Sequence, residues 1–407
     1  MTITLPKLYP WQSEVFLGVK NHWKDSIHVV KSRRQCGKSL LAELIGMYYC
    51  IQNKNFRCYI TEPTFNQADK VLVEIWKMCK GQPFYFKKND IKRQIIFRNG
   101  AEIRLFSAEQ GVDALQGYTC ELLIIDEASF LSEDIIDAIM PYVNTTKGPI
   151  IMFSTPRTKS GQFYNYYSMG MSQELNNIYG YDWTKYDVSE LLSPAKLELY
   201  RKTVDRLKFK TYYLGEFLDN ESDFFGDFSQ CVKDKPHTCN EPVVFGIDWA
   251  GATGGDYTAI SIIGMSGQLY DVIYFNDKDP KQTIAEIMKL VIKYKPKKVT
   301  VETNSIGNIY FGLLRDELKR LNIQLIGFYT DNNSKDKIIS KLQIAFQNNK
   351  ITIYTDYELM DELQYYELTY SKTGKRVFNA KASHHDDILM SLAIAYNSLT
   401  AGNYAVY

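Results

Sequence analysis

With 407 residues the chain exceeds what one hydrophobic core usually serves, so two domains of roughly 150 to 220 residues are expected. An apolar fraction of 45% with 14% aromatics excludes a disordered or fibrous chain, and a net charge of +1 excludes a uniformly basic field, so any nucleic-acid contact must rest on local clusters. No apolar run approaches the roughly 18 residues of a membrane span, MTITLPKLYPWQ has no basic-then-apolar leader, and the seven cysteines form no C-x-x-C pair; a cytosolic, non-secreted protein with reduced thiols is expected.

In chain order, Tyr9-Pro10-Trp11-Gln12 comes first, offering an aromatic ring and an amide to a purine, or simply two core anchors. IHVVKS, FRCYITEP, ELLIIDEA and GPIIMFSTP are short apolar runs of the kind that parallel strands buried on both faces show. Between the first two, SLLAELIGMYYCIQ spaces Leu40, Leu41, Leu44, Ile45 and Tyr48 along one helical face. RQIIFRNGAEIRLFS places Asn99-Gly100 between two alternating runs, which predicts a tight hairpin and hence an antiparallel insertion in an α/β sheet. Residues 1–180 are taken as this first domain, and the polar, Tyr-rich residues 181–238 as a linker or lid. Residues 239–407 restart with VVFGIDWAG, YTAISIIGM and QLYDVIYFND, a predicted meander. Alternating helices and strands follow (TIAEIMKLVIKY, KKVTVET, YFGLLRDELKRL, IQLIGFYT, KIISKLQIAF, ITIYT), with DDILMSLAIAYNSL as the closing helix.

Ser32-Arg33-Arg34-Gln35-Cys36-Gly37-Lys38-Ser39 has the spacing of a P-loop, with Ser32 where the first glycine usually stands. A strand before it and a helix after it would converge backbone N–H groups on phosphate, with Lys38 on the β/γ oxygens and Ser39 on Mg²⁺. LLII then delivers Asp126 and Glu127 to a strand end, where Asp126 can order the Mg²⁺ and Glu127 can position or deprotonate the attacking water; helix capping is the alternative for both. Phe153-Ser154-Thr155-Pro156 closes the next run with a hydroxyl pair.

The second half carries acids where strands end or a helix begins: Asp248, Glu302 and the pair Asp386/Asp387, with Asp256 as an auxiliary. Carboxylates converging from such ends suit two Mg²⁺ or Mn²⁺ ions and phosphodiester cleavage. Helix capping by Ser383 and Asp386, or a turn at Asp248, is the plainer reading. Against it, VVFGID and KKVTVE end apolar runs in charge, which is costly without a metal or partner.

SRRQCGKS, LLIIDEAS, FSTP and the early PWQ together resemble the ATPase half of phage and herpesvirus terminase large subunits, whose P-loop carries R-Q-x-G-K-[ST]. The element order of the second half resembles an RNase H-like nuclease, and its HDD segment is similar to the one terminase nuclease halves carry. The resemblance implies a P-loop (RecA/helicase-like) ATPase domain followed by an RNase H-like nuclease domain. It assigns nucleotide binding to Gln12, Arg34, Gln35, Cys36, Gly37, Lys38, Ser39 and Asp126, and catalysis to Glu127, Asp248, Glu302 and Asp386. Either Asp386 or Asp387 is the direct metal ligand. ATP with Mg²⁺, and two Mg²⁺ or Mn²⁺ ions at the nuclease, are the implied cofactors. Double-stranded DNA, a portal protein and a small terminase subunit are the implied partners, with a homo-oligomeric ring on a procapsid in the host cytoplasm. Many members place Arg-Gly before the acidic strand, whereas this chain has Leu115-Gln116-Gly117; Arg104, Arg98 and Arg157 are the arginine-finger candidates. A cellular or mobile-element repair ATPase fused to a nuclease is the rival reading, disfavoured by the R-Q-x-G-K-S form.

Overall fold

Apolar strands without alternation need cover on both faces, and those of the first half receive it. The computed structural model describes residues 7–219, 224–250, 257–276, 279–304, 307–370, 376–380 and 385–400. Eight strands, β1 (Ile27–Lys31), β2 (Arg57–Glu62), β3 (Tyr85–Asn89), β4 (Gln94–Phe97), β5 (Glu102–Ser107), β6 (Leu122–Ile125), β7 (Ile150–Ser154) and β8 (Ile178–Asp182), form one sheet. Their order is β3-β4-β5-β2-β6-β7-β1-β8, with the β3–β4 and β4–β5 pairs antiparallel and every other pair parallel. Neighbouring residues of a strand feed opposite cores: Val30, Ile60 and Ile124 pack with the Pro10–Asn21, Lys38–Gln52 and Phe65–Cys79 helices, while Val29, Tyr59 and Ile125 pack with Ile135, Ile139 and Phe163. Because β1, β2, β6 and β7 run in parallel, the P-loop, Glu62, Asp126 and Thr155 all emerge at one sheet edge.

The expected hairpin is present, with Gly100 at φ +83° between β4 and β5, and β3 adds a third antiparallel strand. β8 runs across the expected boundary at residue 180 and pairs with β1 in full register. The chain divides into two compact units, with 208–219 belonging to the first and Glu198–Leu207 to the second.

In the second unit, β9 (Val243–Asp248), β10 (Thr258–Gly264), β11 (Leu269–Phe275), β12 (Lys298–Glu302) and β13 (Gln324–Phe328) form a sheet of order β11-β10-β9-β12-β13. The first three are the antiparallel meander and the last two join in parallel. The Asp387–Thr400 helix lies on β9 and β10, and Gly246 permits its approach: a Cβ there would stand 2.2 Å from the Ser391 carbonyl oxygen and 2.3 Å from the Ala395 nitrogen. Buried hydroxyl pairs pin it to the sheet, Ser261 to Ser391 at 2.7 Å and Thr300 to Ser398 at 2.8 Å. The run ITIYT leaves this sheet, since Ile353–Tyr354 pairs with Val232–Lys233 instead. A helix over Tyr357–Gln364 and a two-stranded ribbon, Tyr366–Tyr370 with Arg376–Ala380, are additions that periodicity did not single out.

Candidate functional site

At the first site the backbone itself is bent to the task. Gln35 at φ +60° and Gly37 at φ +78° turn the chain between β1 and the Lys38–Gln52 helix, aiming that helix's free N–H groups into the crevice. A side chain at Gly37 would meet the Gln12 amide at 2.6 Å, which is why glycine is needed there beyond its torsion angle. The Gln12 amide donates to the Gly37 carbonyl at 3.0 Å and the Trp11 indole donates to that of Cys36 at 3.0 Å, so the N-terminal segment braces the loop. Trp11 stacks on Tyr9 at 4.5 Å and is buried, as is Gln12. Cys36 is buried, and burial raises its thiol above the ordinary range against the pull of Lys38 and Arg33. Arg34 and Gln35 are exposed, the Arg34 guanidinium lying 3.6 Å from the centre of the Tyr212 ring.

Ser39 Oγ donates to Asp126 Oδ2 at 2.5 Å, and Lys38 Nζ stands 3.7 Å from Glu127 Oε1. Glu127 has φ +51°, a conformation rare for a residue of its shape, and its Oε2 lies 3.5 Å from Ser154 Oγ and 3.4 Å from Thr155 Oγ1. Burial and then Glu127 lift the Asp126 carboxyl to about 6, opposed by Lys38, the Ser39 hydroxyl and the Glu127 amide. Two acids not singled out from the sequence join this cluster. Glu62, closing β2, is 2% exposed and pushed well above the carboxylate range by burial, then by Asp126, Glu127 and Glu43. Glu43, on the P-loop helix, is lifted to about 8 by burial, then by Glu74 and Asp126. Of the arginine candidates, Arg157 donates to the Ser129 carbonyl at 2.9 Å and Arg104 lies over Phe106 and Tyr118; the Arg98 backbone donates to Phe84 at 2.9 Å.

At the second site, Asp248 ends β9 and Glu302 ends the adjacent parallel β12, one residue beyond the pairing of Ile247 with Val301. Burial raises Asp248 well above the carboxylate range, and Glu302, within hydrogen-bonding reach, then Asp387 and Asp386 push it further. Asp387 Oδ2 accepts from the Tyr257 backbone at 2.7 Å, while Asp386 Oδ2 accepts from Lys335 Nζ at 2.7 Å. The donor chemistry, oxygen only and all acidic, fits Mg²⁺ or Mn²⁺. Among the described residues no three such groups already stand close enough to hold an ion, and Asp256 lies outside them. Glu362 was not visible from the sequence: it reaches from the Tyr357–Gln364 helix to accept the Ile388 and Leu389 backbone N–H groups at 3.3 and 2.6 Å, capping the helix that carries the acid pair. A lysine in a helical first turn, Lys335, and an acid closing a buried run, Glu62, were the signals that could have been used.

A nucleotide-binding loop at the edge of a parallel sheet, followed by an acid-edged mixed sheet with a closing helix, defines a P-loop ATPase joined to an RNase H-like nuclease. Likeness to known proteins narrows that class: residues 31–229 match the family described as terminase large subunit, T4likevirus-type, N-terminal, and residues 245–399 match the terminase RNaseH-like domain, so the chain belongs to the terminase large subunits. It is similar to the terminase large subunit of Thermus virus P23-45, at 23% identity over 409 residues covering 89% of this chain and 83% of that one. It is also similar to tripartite terminase subunit 3 of human herpesvirus 2, at 28% identity over 128 residues covering 30% of this chain and 16% of that one. Its fold is that of the large terminase from a thermophilic bacteriophage solved in complex with ADP, with a TM-score of 0.59 and 17% identity, covering 97% of this chain and 100% of that one. Among the described residues no helix is long and apolar enough to cross a membrane.

Proposed function

We propose that this terminase large subunit hydrolyses ATP over Arg34–Ser39 to drive double-stranded DNA into a procapsid, and cuts the DNA concatemer with Asp248, Glu302 and Asp386. The observation that supports the reading most is the Ser39–Asp126 hydrogen bond at 2.5 Å, since a P-loop hydroxyl beside a strand-end carboxylate suits a Mg²⁺ ion. Lys38 and the loop N–H groups hold the β/γ phosphates, Gln12 supports the loop beneath them, and Glu127 takes the proton of the attacking water. At the nuclease, Asp248, Glu302, Asp386 and Asp387 hold two Mg²⁺ or Mn²⁺ ions, which when bound supply Lewis acidity and a more acidic water. The chain's own part is to present these carboxylates from rigid strand ends and a capped helix. A portal protein, a small terminase subunit and a ring of copies on a procapsid in the host cytoplasm complete the proposed setting.

The test separates the two activities. Lys38→Ala should abolish DNA-stimulated ATP turnover and leave Mn²⁺-dependent plasmid cleavage intact, while Asp248→Ala or Glu302→Ala should do the reverse. ATP turnover that survives Lys38→Ala would sink the motor assignment.

A further inference from the structure

Lys335 stands where its own helix disfavours it. It is the fourth residue of the Asn332–Gln347 helix, in the first turn, where free N–H groups and the helix dipole repel a cation. Something else must hold the ammonium there, and it is Asp386: Nζ to Oδ2 is 2.7 Å, with the two side chains only 18% and 24% exposed.

The placement is built from several directions. Asp331 and Ser334 form a capping box that fixes the helix start. Asn304, two residues beyond Glu302, clamps Thr330 by two hydrogen bonds of 2.6 and 2.9 Å, tying that start to the end of β12. On the other side Asn332 donates to the Arg376 carbonyl at 2.7 Å, and the Arg376 guanidinium is buried on Asp205 at 3.0 Å and Asp336 at 3.1 Å. Asp336, the acid next in sequence, is thus engaged by Arg376, and the charge facing Lys335 is that of Asp386.

We propose that Lys335 is a built-in counter-ion of the nuclease site, holding at Asp386 the position that a divalent cation has to take. The inference rests on reading Asp248, Glu302 and Asp386 as metal-binding acids. Asp386 can ligate an ion through the bonded oxygen only when the ammonium is displaced, so Lys335 sets the cation concentration at which the site fills. A site with this device stays unfilled at cation levels that would saturate bare carboxylates.

The test is Mn²⁺ binding to the full chain, followed by electron paramagnetic resonance, for wild type, Lys335→Ala and Lys335→Arg. Asp248→Asn in each background marks which binding belongs to the nuclease site. Lys335→Ala should bind the Asp248-dependent ion about fivefold tighter or more, the scale of one partly screened ion pair, and Lys335→Arg should stay near wild type. Unchanged or weaker Asp248-dependent binding in Lys335→Ala overturns the counter-ion role while leaving the metal site standing. Mn²⁺ binding that ignores Asp248→Asn in every background removes the metal-site reading, and the counter-ion role with it. Urea unfolding followed with a probe in the second unit reports folding of each variant, and Lys335→Gln, which keeps the stem, replaces Lys335→Ala should the latter misfold.

Discussion

Gly246→Ala is the sharpest test of how the nuclease acids are positioned. Gly246 lies in the central strand β9, paired with Ser261 on one side and Thr300 on the other, so the strand cannot retreat. The added methyl would sit 2.2 Å from the Ser391 carbonyl oxygen, 2.3 Å from the Ala395 nitrogen and 2.8 Å from the Ala395 α-carbon. These are backbone atoms of the Asp387–Thr400 helix and cannot rotate aside, so the helix must lift by on the order of 1 Å to restore van der Waals contact. Overpacking costs about 1 to 3 kcal/mol, and straining the buried Ser261–Ser391 and Thr300–Ser398 pairs adds about 1 kcal/mol each. The expected loss is roughly 3 to 5 kcal/mol in the second unit. Displacing Asp386 and Asp387 by that amount should slow plasmid cleavage on the order of 100-fold. Urea unfolding followed with separate probes for the two units, together with plasmid cleavage and ATP turnover, measures this. A variant with wild-type cleavage and an unshifted second transition would refute the claim that this contact sets the helix position.

Further outcomes follow from two buried acids, Asp126 and Glu362. Asp126 is lifted to about 6, above the roughly 3.9 of an unfolded chain, so its ionisation opposes folding at neutral pH and that penalty fades as pH falls from about 6 towards 4. ATP turnover runs the other way, declining as Asp126 protonates, and added Mg²⁺ should shift that acid limb to lower pH because cation and proton compete; a limb indifferent to Mg²⁺ would show that Asp126 holds no ion. Glu362→Ala should cost about 1 to 2 kcal/mol by uncapping Ile388 and Leu389, and should slow plasmid cleavage. Burial lifts Glu362 to about 9, so wild type loses stability as pH rises from about 4.3 through 9; Glu362→Gln lacks that loss, and its stability relative to wild type should climb between pH 5 and pH 8 in chemical denaturation. A difference that stays flat over that range would show Glu362 to be ionised in the fold.

The legible parts of this chain are those where a local signal carries the physics. An α/β sheet with an antiparallel insertion could be read because Ile124 and Ile151 sit in uninterrupted apolar runs and Asn99-Gly100 can make only a tight turn. Strand-end acids stood out because charge after a buried run is expensive, and Glu62 after FRCYIT carried the same signal. Glu362 carried no local signal, and the partner of Lys335 was hidden even though its place in a helical first turn was not. Each acts on a helix other than its own, through packing that no spacing along the chain encodes. ITIYT has the composition of a core strand, yet its partner is Val232–Lys233, more than a hundred residues earlier, and only tertiary pairing decides that.

The two sites share a charge arrangement with opposite triggers. In each, a lysine in the first turn of a helix is held against the dipole by a carboxylate: Lys38 by Glu127 at 3.7 Å, and Lys335 by Asp386 at 2.7 Å. An incoming triphosphate is a stronger anion than Glu127 and draws Lys38 to itself. On the proposed assignment, substrate arrival would thereby free Glu127, which stands beside the Ser154 and Thr155 hydroxyls, to take a proton from water. On the counter-ion proposal Asp386 is freed when a divalent cation displaces the ammonium, so the nuclease would respond to divalent ion where the motor would respond to nucleotide.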